Sequence, residues 1–226
     1  MKSLKFILVV SGALLLNSCA SGFKEINPKT LNYNSNTTNN SVTMEYKYDL
    51  LSKKYAKKEE KNGIKLVAVK IKNNSGRDLV FGKDLKLAYS DGEELYTLEN
   101  NTIYKSLKQS PGPYLWYLLL SFLTYNTTST NAYGVQEITS STPIGLVIGP
   151  GIAGGNMIVA SSANKKFQTE LSKYTMNGTS LKNGETTYGL IGIKSNNYDA
   201  IKIKTEQTQP ETVKPESADL QSTPKN

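Results

Sequence analysis

Few residues of this chain have the types and the spacing that catalysis requires. The 226 residues include no histidine, the commonest general base in enzymes and a frequent metal ligand. Ser162 and Lys165 have the Ser-x-x-Lys spacing in which a lysine can activate a serine, but enzymes built on that spacing have far larger folds. Paired carboxylates occur in charged, turn-like contexts that are typical of a solvated surface, at Glu59-Glu60 and Glu93-Glu94. The sequence therefore predicts a protein that is not an enzyme, with no catalytic or metal-binding residues.

A glycine-rich stretch at residues 149–154, Gly-Pro-Gly-Ile-Ala-Gly, matches the G-x-G-x-x-G pattern of dinucleotide-binding loops. The pattern binds a pyrophosphate where a strand turns into a helix, with an acidic residue ending a second parallel strand. No such strand follows, and Glu170 lies on the polar face of a predicted helix, so we expect no nucleotide and no other cofactor. The same region contains a small-residue stripe, because Gly145, Gly149 and Ala153 recur every four residues. Such stripes allow helices to pack closely in lipid.

The amino terminus has the composition of an export signal. Lys2 and Lys5 flank the start of an apolar run over residues 6–16, which is shorter than the ~20 residues that a membrane-spanning helix needs. Residues 1–18 are therefore predicted to be a signal peptide and not a transmembrane anchor. Cys19 follows directly and is the only cysteine, so no intrachain disulfide can form.

The sequence Leu16-Asn17-Ser18-Cys19 resembles the lipobox of bacterial lipoproteins. Asn17 departs from the pattern, which usually has a small or apolar residue there. The resemblance implies cleavage between Ser18 and Cys19, a diacylglyceryl group on the cysteine sulfur and an acyl chain on the new amino terminus. Two or three acyl chains hold a protein firmly on a membrane where one chain does not.

This resemblance also implies a location and a partner. We expect a lipid-anchored protein of the cell envelope, with the bilayer as partner through acylated Cys19 and an envelope protein as a possible second partner. No acidic run follows Cys19, so the expected location is the outer membrane with the domain facing the periplasm. After cleavage the chain keeps 25 basic and 19 acidic residues, because Lys2 and Lys5 leave with the signal. The lysines are dispersed, so we expect no nucleic acid partner.

Between two polar ends, the mature chain has the patterning of short strands. Residues 19–40 are rich in Asn, Thr and Ser and are predicted to be a lipidated, flexible tether, and the proline-containing tail 207–226 is predicted to be disordered. In the domain 41–206, Val67, Val69 and Ile71 alternate with Lys70 and Lys72, the pattern of a half-buried strand. Further strands are predicted over 42–50, 79–81, 85–89 and 95–98, with a terminal hairpin of 187–193 and 198–204. A short helix is predicted over 164–174.

The stretch 65–95 looks like part of the immunoglobulin-like domains of small bacterial lipoproteins. It contains Val-x-Ile-x-Asn-Asn-Ser-Gly at 69–76 and Leu-x-Leu-x-Tyr-Ser-Asp-Gly at 85–92. The resemblance concerns turns and strands, and it implies a fold but no site residues. The expected architecture is mainly β: an immunoglobulin-like antiparallel β-sandwich with one short helix and an inserted hydrophobic hairpin.

That insertion, residues 109–164, contains a single charged residue, Glu137. Two apolar arms, 114–125 and 143–160, flank a polar stretch rich in Thr, Ser and Asn. The arms could be buried in the domain's own core, inserted into a membrane, or covered by a partner protein. The candidate membrane or partner contacts are Tyr114, Trp116, Leu119, Phe122, Gly145 and Gly149. The sequence thus favours a non-enzymatic binding or assembly role at the envelope, with a membrane-inserting or pore-associated lipoprotein acting through 114–160 as the alternative.

Overall fold

The computed structural model of the protein describes residues 19–206; the predicted signal peptide and carboxyl-terminal tail lie outside them. The strands of this part are β1 Ser35–Asn39, β2 Val42–Lys47, β3 Ile64–Asn73, β4 Leu79–Val80, β5 Leu85–Tyr89, β6 Glu94–Leu95, β7 Thr97–Leu98, β8 Tyr125–Thr130, β9 Gln136–Thr142, β10 Ser180–Leu181, β11 Thr186–Lys194 and β12 Ile201–Thr205. The α-helices are α1 Lys53–Asn62, α2 Asn100–Leu107 and α3 Gly145–Lys173, and the 3-10 helices are η1 Pro28–Thr30 and η2 Gly112–Phe122.

The strands form antiparallel sheets, which confirms the prediction of a mainly β protein. One sheet has the order β1-β2-β3-β11-β7, and a second has the order β12-β5-β6. The longest pairing joins β3 to β11, with Ile64 opposite Lys194 and Lys72 opposite Thr186. Two smaller sheets consist of β4 with β10 and of β8 with β9.

The two larger sheets share a hydrophobic core. Val67, Val69 and Ile71 of β3 are buried together with residues of the second sheet, among them Leu87 and Ile203. Each aliphatic side chain that is fully buried contributes about 1.5–3 kcal/mol to folding. The predicted alternation is confirmed in β12, whose isoleucines face this core while its lysines are exposed. In β3 it holds only around Ile71, between the less buried Lys70 and Lys72, because residues 64–69 are all buried.

A second core lies on the opposite face of the five-stranded sheet, where the helices pack. Leu66 and Ala68 of β3 contact this core, which also contains Tyr55 of α1, Leu107 of α2 and Phe167 of α3. The first half of β3 is therefore apolar on both faces, which explains its nearly continuous apolar run. The prediction of one short helix was wrong, because a layer of three α-helices covers this sheet and α3 alone has 29 residues.

Two further features differ from the sequence-based predictions. The segments 187–193 and 198–204 do not form a hairpin with each other. Strand β11 pairs with β3 and β7, whereas β12 pairs with β5, so the chain passes from one sheet to the other.

The segment 19–40 is packed onto the domain and does not extend away from it as a tether. Ile26 is buried in the helix-side core, and β1 pairs with β2 along its whole length.

Candidate membrane interface

The uncharged segment forms two helical arms that lie side by side. We call η2 together with residues 145–160 of α3 the arm pair. The amide of Gly145 donates a hydrogen bond to the carbonyl of Leu123 at 2.9 Å, and Gly149 lies against Ser121 and Tyr117, one turn further back along η2. The two arms therefore run in opposite directions, as the two limbs of a hairpin.

The small-residue stripe of α3 makes the close contact between the arms. A methyl group on Gly145 would overlap the carbonyl oxygen of Leu120, and one on Gly149 would lie 2.9 Å from the backbone nitrogen of Ser121. These partners are backbone atoms, which cannot move aside cheaply. Ala153 and Ala160 continue the stripe and are buried against the arm partner. Gly145 and Gly149 thus act between the two arms and not as contacts to another molecule.

Every other side of the arm pair exposes apolar side chains. Trp116 is 73% exposed, Phe122 83% and Val147 78%. Leu146, Val147 and Ile148 are consecutive and all exposed, so they cover most of the circumference of the helix at 3.6 residues per turn. The exposed apolar residues of the pair are Leu115, Trp116, Leu118, Leu119, Phe122, Leu146, Val147, Ile148, Ile152, Met157, Ile158 and Val159. Burial in the domain's own core is therefore contradicted for these residues, whereas the predicted contact residue Tyr114 is buried at the base of the pair.

Among residues 19–206, α3 is the one helix that is long and apolar enough to cross a membrane, judged by length and composition. Core helices of soluble proteins can pass the same test, but they are mostly buried. Only 22% of the apolar window in α3 is buried. Its second half carries the buried Phe167 and Leu171 of the helix-side core, so a single helix joins the arm to the domain.

A buried polar cluster fixes the base of the arm pair to the domain. The side chain of Asn164 in α3 accepts hydrogen bonds from the hydroxyl of Tyr55 at 3.0 Å and from the backbone amide of Gln109 at 2.8 Å, and it donates to the carbonyl of Gln109 at 2.9 Å. Gln109 in turn exchanges two hydrogen bonds with the backbone of Ser21. Buried hydrogen-bonded amides specify one geometry, so both arms leave the domain in a defined direction.

The predicted lipid site lies beside the arm pair. The backbone amide of Ala20 donates a hydrogen bond to Oδ1 of Asn156 in α3 at 2.6 Å, while the side-chain amide of Asn156 donates to the carbonyl of Ile152 at 2.9 Å. Cys19 is exposed at this position, and Ser18 on the other side of the predicted cleavage bond is outside the described range. The structure therefore brings the acylation candidate and the exposed arms together.

Lysines stand where the arm pair meets the domain. The ammonium of Lys54 donates to the hydroxyl of Tyr114 at 2.9 Å and lies 4.7 Å from the centroid of its ring. Lys108 and Lys165 are exposed and are the charged residues that bracket the uncharged segment in the sequence.

The end of the hairpin is a small antiparallel sheet, β8–β9, which we call the tip. Its strands are made largely of Thr, Ser and Asn, and all their side chains are exposed. Asn131 organises the turn: its side-chain carbonyl accepts from the amides of Tyr133 and Val135, and its amide group donates to Glu137 at 2.8 Å. The polar stretch predicted between the arms is thus a defined structure beyond their apolar surface.

The residues considered for catalysis are scattered. Ser162 and Lys165 are exposed and lie well inside α3, far from its start at Gly145. Residues 149–154 also lie within that helix, whereas the dinucleotide-binding pattern needs its glycines between a strand and a helix. No group of three His, Cys, Asp or Glu side chains that could hold a metal ion occurs in the part of the chain that the structure describes.

The paired carboxylates have different environments. Glu59, expected on a solvated surface, is buried and accepts a hydrogen bond from the amide of Leu66 at 2.7 Å. Burial raises the pKa of Glu59 to about 7. Glu93 is exposed, and Glu94 lies 3.6 Å from the ammonium of Lys86. Each of these contacts belongs to the packing of the domain.

Sequence reasoning missed Gln109, Asn156 and Asn164, because their partners are distant in the sequence and single polar residues have no periodicity. The one available signal was that each interrupts or borders an apolar stretch. Comparisons of the chain with protein-family models, curated proteins and solved structures found no match. The function is therefore argued from the chemistry of the arm pair.

Proposed function

We propose that the protein is a non-enzymatic lipoprotein of the cell envelope that is held on its membrane in two ways. Acyl chains on Cys19 provide one anchor, and the arm pair enters the same bilayer as the second. The β domain stands at the membrane surface and serves binding or assembly there. The location we propose is the outer membrane, with the domain facing the periplasm.

The observation that carries this proposal is the exposure of apolar side chains on all free sides of the arm pair. A fully exposed Leu, Ile, Val or Phe gains about 1.5–3 kcal/mol when it leaves water, so half a dozen such residues contribute on the order of 10 kcal/mol. Exposed apolar surface of this extent marks a contact with a membrane or with a partner. The adjacent Cys19 favours the membrane, because its acyl chains would enter lipid at the side of α3.

The distribution of the apolar residues also favours insertion of the arm pair into the hydrocarbon layer over a position flat in the membrane interface. A helix that lies in the membrane interface keeps one charged or polar face toward water. Neither arm has such a face, since the sides that do not contact the other arm expose residues such as Leu118, Leu119, Val147 and Ile158. A helix that is apolar all round is normally surrounded by protein or lipid.

We also propose that the two facing sheets form an immunoglobulin-like sandwich to which a helix layer has been added. Support comes from the shared core of the five-stranded and three-stranded antiparallel sheets and from the turn sequences at Asn73-Asn74-Ser75-Gly76 and Asp91-Gly92. The helices that cover the other face of the larger sheet are extra to that fold.

Flotation with vesicles tests the second anchor separately from the first. The mature chain with Cys19→Ala carries no lipid, and we expect it to float with vesicles through the arm pair alone. The double variant Phe122→Asp/Val147→Asp should lose flotation, because a carboxylate is costly in hydrocarbon. Tyr96→Asp is the matched control, since Tyr96 is 73% exposed but lies outside the arm pair. Failure of the Cys19→Ala chain to float would contradict insertion of the arms.

Metabolic labelling with an alkynyl fatty acid tests the first anchor. The wild-type chain should be labelled and processed, whereas Cys19→Ala should remain unprocessed and unlabelled, because the acylated thiol and the new amino terminus both belong to that residue. Equal labelling of the two chains would contradict acylation of Cys19.

A further inference from the structure

We infer that the arm pair crosses the hydrocarbon layer and places the β8–β9 tip on the opposite side of the membrane from the β domain. This inference rests on the proposed function and adds a topology to it. It starts from the order of surfaces along the hairpin: a lysine-rich domain, two apolar arms, and a tip whose strands are mostly Thr, Ser and Asn. The tip also exposes Tyr133, Val135 and Ile138.

The length of the arms fits a thin hydrocarbon layer. Residues 145–160 of α3 rise about 24 Å at ~1.5 Å per residue, and the eleven residues of η2 rise about 22 Å at ~2.0 Å per residue. The apolar band of outer-membrane proteins is about 25 Å tall. Both arms therefore match the thickness of the proposed membrane, and the two ends of the apolar surface lie at its two faces.

The chemistry of the tip requires water around it. Within residues 19–206, the outer edges of β8 and β9 have no neighbouring strand to pair with their backbone groups, and their Thr, Ser and Asn side chains are exposed. Open sheet edges are not found facing hydrocarbon, because each unpaired polar group there costs several kcal/mol. Once the arms are immersed, the tip can reach water only beyond the far face of the layer. Tyr125, where η2 gives way to β8, has the amphipathic ring that is common at such a face.

Two backbone amides at the junction of the arms and the tip are hydrogen-bonded, which suits a position at the far face of the hydrocarbon layer. The amide of Gly145 donates to the carbonyl of Leu123, and the amide of Leu123 donates to the carbonyl of Leu120 at 3.0 Å. Near the domain end, Asn156 is the polar side chain of the α3 arm, and both ends of its amide are hydrogen-bonded.

The position of Cys19 is consistent with arms that cross the hydrocarbon layer. Asn156 lies four residues from Ala160, so the bonded Ala20 lies about 6 Å along the axis from the domain end of the arm. The glycerol of a lipidated cysteine then lies close to the domain-side face of the membrane, and its acyl chains run beside α3.

Labelling of single cysteines with a membrane-impermeant maleimide tests the topology in cells that express the full-length chain. Ser129→Cys places a thiol at the tip and Lys83→Cys places one in an exposed turn of the domain. Because the domain is proposed to face the periplasm, we expect Ser129→Cys to be labelled in intact cells and Lys83→Cys only after the outer membrane has been permeabilised. Labelling of both under the same condition would overturn the inference, as would a tip cysteine that stays unlabelled after permeabilisation.

The wild-type chain is the control that separates this inference from the proposed function. Acylated Cys19 does not react with maleimide, so the wild type should give no signal. A labelled wild type would show that the lipid anchor is missing, while the difference between each variant and the wild type would still report the sides of the tip and the domain. Flotation of the Cys19→Ala chain together with same-side labelling would leave insertion intact and refute the crossing.

Discussion

The backbone amide of Ala20 lies 2.6 Å from Oδ1 of Asn156, a hydrogen bond between residues that are 136 positions apart in the chain. It joins the predicted amino terminus of the mature protein to the arm of α3. The bond is partly buried, and it sets the place at which acyl chains on Cys19 would enter lipid.

Asn156→Ala should therefore release the amino-terminal segment without unfolding the domain. Loss of one hydrogen bond of this kind costs about 1 kcal/mol, which corresponds to roughly fivefold more frequent opening of the segment. We expect faster tryptic cleavage after the exposed Lys24 in the unlipidated mature chain. Met157→Ala is the control, because Met157 neighbours Asn156 on a partly exposed side of the helix, and it should leave the cleavage rate unchanged.

The contact between the arms should depend on which glycine is changed. Gly149→Ala forces a methyl group to 2.9 Å from the backbone nitrogen of Ser121, so η2 must move away and its amides should exchange faster with deuterium. Gly151→Ala meets nothing within 4 Å and should stabilise the helix by up to about 1 kcal/mol, the difference in helix propensity. Equal exchange in η2 for the two variants would contradict the packing of the arms.

Burial of Glu59 predicts a dependence of stability on pH. Burial raises its pKa to about 7 from 4.5, so the folded state binds a proton more tightly than the unfolded state. The contribution to stability is fully present below pH 4.5 and is lost as the pH rises through 7. The chain has no histidine that would titrate in this range.

We therefore expect the free energy of unfolding of the unlipidated chain to fall by about 2 kcal/mol between pH 5 and pH 8 through Glu59. Glu59→Gln should remove most of this dependence in urea titrations. A smaller change in the same direction should remain, because desolvation also raises the pKa of Glu170. A wild-type stability that rises from pH 5 to pH 8 would contradict the burial of Glu59.

The parts of the fold that could be predicted are those with a clear hydrophobic period. The alternation at Val67, Val69 and Ile71 identified β3. The four-residue spacing of Gly145, Gly149 and Ala153 indicated close packing, although the helix predicted over 164–174 did not include these residues and α3 does. In both cases the burial pattern is local, so a short window of sequence contains the whole signal.

The remaining parts depend on contacts that a short window does not contain. Helix α1 is mostly Lys and Glu and has two buried residues, Tyr55 and Glu59, so it has no apolar stripe to detect. Strand β1, Ser-Asn-Thr-Thr-Asn, has no apolar residue at all and is ordered by pairing with β2. The chain also passes from one sheet to the other between β11 and β12. Each of these strands pairs with strands that are distant in the sequence, and the turn residues between them do not encode those pairings.

The fluorescence of Trp116 tests the central claim most directly, because Trp116 is the only tryptophan. It lies near the middle of η2 with 73% of its surface exposed. In the unlipidated mature chain, vesicles should shift its emission to the blue, and lipids brominated along the acyl chains should quench it. Phe122→Asp/Val147→Asp should abolish both effects, whereas Tyr96→Asp should not. An unshifted emission that a water-soluble quencher reaches equally with and without vesicles would contradict the immersion of the arm pair.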